Sequence, residues 1–416
     1  MVKIIATVGT SLLTNLRREI QNNKTSMQND RSNEYGDIIA FLDDIKDKTF
    51  VCYKPLEDKI KKIKKTLVDF AKKSDYSCAE IKSLLSIQKE IKADLLIYLL
   101  ASDSVSSALV AMIIKEVLEN KLNSGSMINF NENLDVIEGL QVRDREKFCN
   151  DGMPNLVKRI YNIADDGYSS EVILNITAGY KGTIPFLTIL GQVNHFPLYY
   201  IFEETDALIK IPQTPVDIDW EKIGKNADLL EKLEKEGTIE EKKMCQEDIK
   251  ALKDIETLIE RYEGMVCLNS LGIIFWHRYR SSYELFKLYK DEFERYNKLA
   301  EDEKNRIDKA LLDLKKKYEN NPGDSQLKHW LQGCSLPTGY YCFKCNEERV
   351  EIRMLWHAES RKGKYGESLT DFYIAIISVG SEVHNANDEY VKTFNDFAMK
   401  HQDLEMDKFH VIKIKK

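Results

Sequence analysis

The sequence predicts an α/β domain with a parallel sheet over residues 1–215, a charged helical linker over 216–281 and an α+β domain over 282–416. Three observations carry this reading. Continuous Val/Ile/Leu runs alternate with helical patterns in the first half, as in parallel sheets covered on both faces. A highly charged stretch follows it. Beyond residue 282, two amphipathic helical patterns precede three strand-like runs, an order typical of α+β domains.

Taken in order, Val2–Val8 is an unbroken β-rich apolar run, and Leu95–Leu100 is a second, followed at helical spacing by Ser104–Leu118. Glu171–Thr177 (Glu-Val-Ile-Leu-Asn-Ile-Thr) reads as a further strand, with helix resuming over Pro185–Gly191. Leu198–Glu203 and Leu208–Ile211 are two short strands, and Pro212-Gln-Thr-Pro215 breaks the pattern. Trp220–Tyr262 reads as helix throughout, with a hairpin turn at Gly237-Thr238. Its polarity on most faces predicts a segment that projects into solvent or meets a partner. Val266–Tyr279 is apolar and aromatic and reads as a small helical or winged-helix element. Tyr283–Tyr296 and Glu303–Tyr318 are read as helices, the second stopped by Asn321-Pro322-Gly323. Tyr340–Cys345, Val350–Trp356 and Phe372–Val379 are read as successive strands, the first two joined by the polar turn Cys345–Arg349.

Composition narrows the function. The chain has 416 residues, 43% of them hydrophobic and 31% charged, which suits two or three globular domains. Lys+Arg number 61 against 68 Asp+Glu, a net charge of −7. That excludes a wholesale basic coat for sequence-blind nucleic-acid binding but not a local basic site. Lys59–Lys65 is basic and reads as the solvated face of a helix. The longest apolar runs, Leu95–Ala101 and Ala108–Ile114, are too short to span a bilayer. Met1 leads straight into a strand without a signal-peptide pattern. Eight scattered cysteines predict reduced thiols and a cytoplasmic setting. Cys342-x-x-Cys345 has no second pair, so no metal site is expected.

Two loops stand out in the first domain. The first strand ends in Val8-Gly9-Thr10-Ser11, and a later one runs into Asn175-Ile-Thr177-Ala178-Gly179-Tyr180-Lys181-Gly182 before a helix. Ligands of parallel α/β sheets bind outside the carboxyl ends of strands. Gly9, Gly179 and Gly182 allow close backbone approach, and the helix N-termini that follow offer N–H groups to phosphate. Lys181 adds positive charge, while Thr10, Ser11 and Thr177 add hydroxyls. The loop carrying Ser102 and Asp103 follows a third strand and is a candidate to join them. The dinucleotide fingerprint G-x-G-x-x-G is absent, which disfavours a nicotinamide enzyme.

Ile4–Asn15, the run Asp135–Val142 and Asn175–Gly182 together resemble the CRISPR-associated Rossmann fold, or CARF, domain. The resemblance implies a homodimer that binds cyclic oligoadenylate, commonly cyclic tetra-adenylate, across a two-fold axis. It implies contacts from Gly9, Thr10, Ser11, Ser102, Asp103, Thr177, Ala178, Gly179, Tyr180, Lys181 and Gly182. Some members cut the ring without metal by means of the ribose 2′-hydroxyl. In that case Ser11 and Lys181 hold the scissile phosphate, and binding without cutting is the equal alternative.

The second half then carries the effector. The HEPN ribonuclease motif needs Arg and His separated by four to six residues, and no pair in the chain has that spacing. The restriction-type nuclease needs Glu-x-Lys on a strand, and none occurs beyond residue 264. A zinc deaminase lacks its His-x-Glu and Pro-Cys-x-x-Cys signatures. Leu327–Gly333, the hairpin Tyr341–Trp356, Ile374-Ala-Ile-Ile-Ser-Val-Gly380, His384 and Tyr390 instead resemble the RelE-type messenger-RNA interferases, ribosome-dependent ribonuclease toxins. A CARF domain fused to a RelE-like domain is a known CRISPR-associated architecture.

Metal-free RNA cleavage needs an activated 2′-hydroxyl, a stabilised phosphorane and a proton for the 5′-oxygen. The resemblance implies Lys344 as a desolvated base and Arg349 and Arg353 as phosphate donors, with ion pairing of these arginines to Glu348 and Glu351 as the alternative. It implies His384 as acid and Tyr390 as an orienting or stacking residue. Arg361, Lys362 and Lys364 are expected to hold RNA backbone or ribosomal RNA. No cofactor is expected beyond the cyclic activator, and the expected partners are the ribosome and messenger RNA, without membrane or DNA. Two alternatives stay open. One is a ring nuclease with a degenerate effector, and the other is a ligand-gated winged-helix regulator built on Val266–Tyr279.

Overall fold

Seven consecutive buried residues, Val2–Val8, form strand β1, an interior strand of the first sheet. The computed structural model describes residues 1–23, 29–75, 77–141, 143–165, 171–202, 207–215, 218–329, 336–362, 368–380, 389–400 and 408–415. They fall into two units. The first holds residues 1–218, 257–260 and 268–275, and the second holds 219–256, 261–267 and 276–416. Among the described residues no helix is long and apolar enough to cross a membrane.

In the first unit, helices α1 (Ser11–Asn23), α2 (Asn29–Ile45), α3 (Tyr53–Lys72) and α4 (Ala79–Ile91) separate β1 from β2 (Leu95–Ser102). Next come α5 (Val105–Leu118), β3 (Met127–Asn129), α6 (Glu132–Asp135), β4 (Val136–Ile137), α7 (Arg145–Lys147) and α8 (Met153–Ala164). β5 (Val172–Asn175), α9 (Ile184–Asn194), β6 (Leu198–Ile201) and β7 (Leu208–Ile211) complete it. The strand order is β3-β2-β1-β5-β6-β7, with β4 also on β2. All neighbours are parallel except β7, which returns antiparallel on β6. Ser104 caps α5, its Oγ accepting the Ser107 N–H at 3.1 Å, as Ser does at helix starts. α5 is apolar on nearly all sides and packs with Ile4, Ile97 and Leu99 in a core that excludes water. Lys3 is fully buried within β1, where its ammonium donates to Ile163 O at 2.6 Å and Ala164 O at 3.4 Å. It therefore satisfies carbonyls left open at the end of α8.

The segment 220–262 departs from the helical hairpin expected of it. It forms α10 (Trp220–Lys225), α11 (Ala227–Glu236), a two-residue strand β8 (Ile239–Glu240), α12 (Gln246–Asp254) and strand β9 (Ile259–Tyr262). Gly237 does end α11, at φ 78°. α11 does not project into solvent, because Leu229, Leu230 and Leu233 are buried. Its acidic side chains are tied down as well: Glu234 accepts from Trp276 Nε1 at 3.0 Å and Arg280 Nη1 at 2.8 Å, and Asp228 accepts the Val411 N–H at 2.8 Å. The expected module at Val266–Tyr279 is divided between β10 (Met265–Leu268) and α13 (Ser270–Ser282), with β8, β10 and β9 making a small sheet.

Tyr283–Tyr296, expected as one helix, is instead the strand β11 (Tyr283–Tyr289) followed by α14 (Lys290–Lys298). Phe286, Tyr289 and Phe293 imitate helical spacing, but alternation wins. Phe286 and Leu288 enter one core and Tyr289 the other. The chain continues as α15 (Glu301–Asn320), β12 (Tyr341–Glu347), β13 (Val350–Lys362), β14 (Ser368–Val379), α16 (Glu389–Lys400) and β15 (Phe409–Lys415). The sheet order is β12-β13-β14-β11-β15. The antiparallel meander is present, and β11 extends it by pairing parallel to β14 and antiparallel to β15. One face packs on α15 through Phe343, Met354 and Leu311, and the other on α16 through Leu355, Tyr373 and Phe394. Cys342 and Cys345, three apart on β12, enter these opposite cores.

Candidate functional site

Strands β1 and β5 lie side by side, so the loops at their carboxyl ends meet. Gly9 and Gly179 make the meeting possible. A Cβ on Gly9 would lie 3.0 Å from Gly179 N, and Gly179 sits at φ 95° with Thr7 Cβ 3.1 Å from where its own Cβ would be. The result is a cleft of about 640 Å³, bounded by the start of α1 and by the loop that enters α9.

Gly9, Thr10, Ser11, Thr177, Ala178, Gly179 and Lys181 line this cleft. The remaining expected residues have other roles. The Asp103 carboxylate accepts Phe50 N–H at 3.2 Å, Gly139 N–H at 3.1 Å and Gln141 Nε2 at 2.7 Å, so it staples three loop segments. Ser102 is buried against Ser104, 3.2 Å between hydroxyls. Tyr180 offers its carbonyl to the Thr183 N–H and hydroxyl at 2.9 and 2.7 Å. Gly182 lies beside the Phe148 ring. The Thr177 hydroxyl lines the cleft but is occupied, donating to Asn175 Oδ1 at 2.6 Å and accepting from Ile201 N–H at 3.1 Å.

The structure adds lining residues that the sequence did not single out: Arg18, Lys82 and Glu80. Arg18 and Lys82 join Lys181 as cations, and the first residues of α1, α4 and α9 also line the cleft, which suits an anion. Glu80 is buried, accepting Gly9 N–H at 2.7 Å and Ser11 Oγ–H at 3.0 Å. Burial pushes the neighbouring Cys78 thiol well above its ordinary value, and the Glu80 charge adds to this. No linear motif announces Glu80, whose partners lie about 70 residues away.

In the second unit Lys344 stands across from Arg353, and Arg353 across from Ser378, on three adjacent strands. Residues opposite one another share a face, here the face toward α16. The Arg353 side chain is 2% exposed and contacts the Glu351 carboxylate through Nη2. Its Nε and Nη1 are buried without a hydrogen-bond partner among the described residues. The Tyr390 ring centroid lies 5.8 Å from the guanidinium carbon, within cation–π reach. Lys344 Nζ is 3.4 Å from Glu351 Oε1, and its side chain is 37% exposed. A carboxylate therefore faces the lysine expected as base.

Arg349 lies at the tip of the β12–β13 hairpin, where Glu348 and Arg349 take φ of 51° and 70°. Both values are left-handed, as a two-residue type I′ turn demands. Arg306 and Lys309 of α15 hold Glu348 at 3.4 and 2.7 Å. His384 and Lys364 lie outside the described residues, as do the side chains of Arg361 and Lys362 on β13.

His329 belongs to this site although no sequence pattern singled it out. Gln326 O accepts Lys344 N–H, and His329 N–H donates to Cys342 O, both at 2.9 Å, so the segment runs along the edge of β12. Burial, then the charges of Arg353 and Lys344, hold the imidazole below its usual value, with Glu351 opposing them. A neutral imidazole beside two cations can accept a proton.

Residues 75–214, about a third of the chain, match the family model of a CRISPR-associated protein (Cas_APE2256). The match supports a CRISPR-associated protein. It includes the Thr177–Lys181 side of the cleft and Glu80, while Gly9 and Ser11 precede it. No curated protein matches the chain.

Proposed function

We propose that this CRISPR-associated chain is a ligand-gated ribonuclease. In this reading the first unit is a CARF-type sensor that binds cyclic oligoadenylate, cyclic tetra-adenylate in the first instance, as a homodimer. The second is a RelE-like domain that cuts messenger RNA on the ribosome, without metal. The observation that carries the effector reading is Arg353. A buried guanidinium with two unpaired nitrogens among the described residues costs stability. An arriving phosphate recovers that cost through charge-assisted hydrogen bonds. Lys344 adds charge from the next strand, Tyr390 offers a ring for a base to stack on, and His329 is a proton acceptor beside both cations. The sensor reading is supported by Lys181, Arg18 and Lys82 around a cleft at the ends of parallel strands. Ligand binding acts by shifting a population toward the competent effector.

A second reading has its own support, since Ser11 and Lys181 line one cleft. Self-limiting cleavage of the ring, or a chain that is a ring nuclease only, follows if they act on a bound ring. The test mixes the protein with translating ribosomes, with and without cyclic tetra-adenylate, and maps messenger-RNA ends. Ligand-dependent cuts in the ribosomal A site, lost in Arg353→Ala, support the effector. Loss of the ring alone, prevented by Lys181→Ala, supports the second reading. Neither outcome refutes both.

A further inference from the structure

We infer that Glu80 sets the hydrogen-bond polarity of Ser11, so that the cleft reads a ribose 2′-hydroxyl through a Ser11 lone pair. The inference rests on the sensor reading and adds a specificity to it. Glu80 is 1% exposed, and each of its oxygens is used: Oε1 accepts Gly9 N–H at 2.7 Å, and Oε2 accepts Ser11 Oγ–H at 3.0 Å. Glu80 accepts in both of these bonds, and a serine hydroxyl has a single proton. That proton is committed to Glu80. The Ala79 N–H reaches Ser11 Oγ at a long 3.4 Å, which engages one lone pair. A second lone pair remains on a residue that lines the cleft.

A lone pair cannot bond to a phosphate oxygen, which is itself an acceptor. Ser11 therefore needs a donor from the ligand. An adenylate ring carries two kinds, the 2′-hydroxyl and the adenine amino group. Ser11 is the first residue of α1, where free helix N–H groups and Lys181 favour the phosphates. The 2′-hydroxyl sits next to the phosphate on the ribose and is the donor within reach. Glu80 is thus a positioning residue. Through its bond to the hydroxyl it decides whether Ser11 accepts or donates.

The test is binding of three rings to the full-length protein: cyclic tetra-adenylate, its 2′-deoxy counterpart, and cyclic tetra-inosinate, which keeps the hydroxyl and lacks the amino donor. The native protein is expected to prefer the ribose ring over the deoxy ring by roughly three- to tenfold per contact. Glu80→Gln keeps the shape, but its amide donates to Ser11 Oγ and turns the hydroxyl outward. The ribose preference should collapse toward unity in Glu80→Gln and in Ser11→Ala, with no further loss in the double variant. Glu80→Gln should bind the deoxy ring as Ser11→Ala does, whereas a merely structural role would weaken every ring beyond that. An unchanged ribose preference in Ser11→Ala overturns the inference. So does a collapse confined to the adenylate-over-inosinate preference. Failure of the native protein to bind any ring overturns the sensor reading and this inference with it.

Discussion

Lys344 and Arg353 face each other across β12 and β13 and share the carboxylate of Glu351. The two cations differ sharply in setting, since the Lys344 side chain is 37% exposed and that of Arg353 is 2% exposed. A buried, planar donor is preorganised for phosphate, while an exposed ammonium acts as a screened point charge. Arg353→Ala is accordingly expected to lower ligand-dependent messenger-RNA cleavage by about a hundredfold or more. Arg353→Lys keeps the charge without the fork and should recover folding more than cleavage. Thermal unfolding and mapped RNA ends, read on both variants, check this. Near-native cleavage by Arg353→Ala would falsify the assignment.

His329 gives a pH signature. Its folded value lies below the ordinary one, so the folded state holds the neutral imidazole better than the unfolded chain does. The corresponding stability is present above the unfolded value of about 6.5 and is lost as pH falls through the lower folded value. The midpoint of thermal unfolding should therefore drop more on acidification in the native protein than in His329→Gln. If His329 takes the proton, the acid limb of the cleavage rate lies below pH ~6.5 and disappears in His329→Gln. A pH profile unmoved by that substitution assigns the acceptor elsewhere.

What the sequence revealed and what it hid have physical causes. Ser104 before Val105 is a local capping signal, and the helix begins there. Val2–Val8, apolar but for Lys3 and Thr7 and rich in β-branched residues, is short enough to read as a buried strand rather than a helix. β11 was hidden because Phe286, Tyr289 and Phe293 suit either period, and only its neighbours β14 and β15 decide between them. Lys287 on that strand looks like a solvent residue, yet Glu231 at 2.6 Å and Asp371 at 3.4 Å hold it in the interior. Burial opposes its charge, but these carboxylates raise its value overall. Glu80 and His329 escaped for the same reason. Each acquires its chemistry from residues distant in sequence, and pattern reading sees only near neighbours.

Lys3 is a buried cation whose partners are backbone carbonyls, Ile163 O and Ala164 O. Lys3→Met preserves most of the volume and deprives these carbonyls of a donor at the end of α8. The expected loss is about 1–3 kcal/mol of unfolding free energy, measured by denaturant titration. A surface role would predict no change.

Gly179 joins stability to binding. Its φ of 95° is a conformation L side chains rarely adopt, and an added Cβ would press on Thr7 Cβ at 3.1 Å. Gly179→Ala therefore strains the backbone and pushes the loop away from β1, by more than ~1 kcal/mol of stability. Because the same loop carries Lys181 into the cleft, cyclic tetra-adenylate binding should weaken further than the stability loss accounts for at a temperature where the variant is fully folded. Gly36 is the control, since a Cβ there meets nothing within 4 Å, and Gly36→Ala should leave binding unchanged. Equal binding by the Gly179→Ala and native proteins would remove this loop from the ligand site.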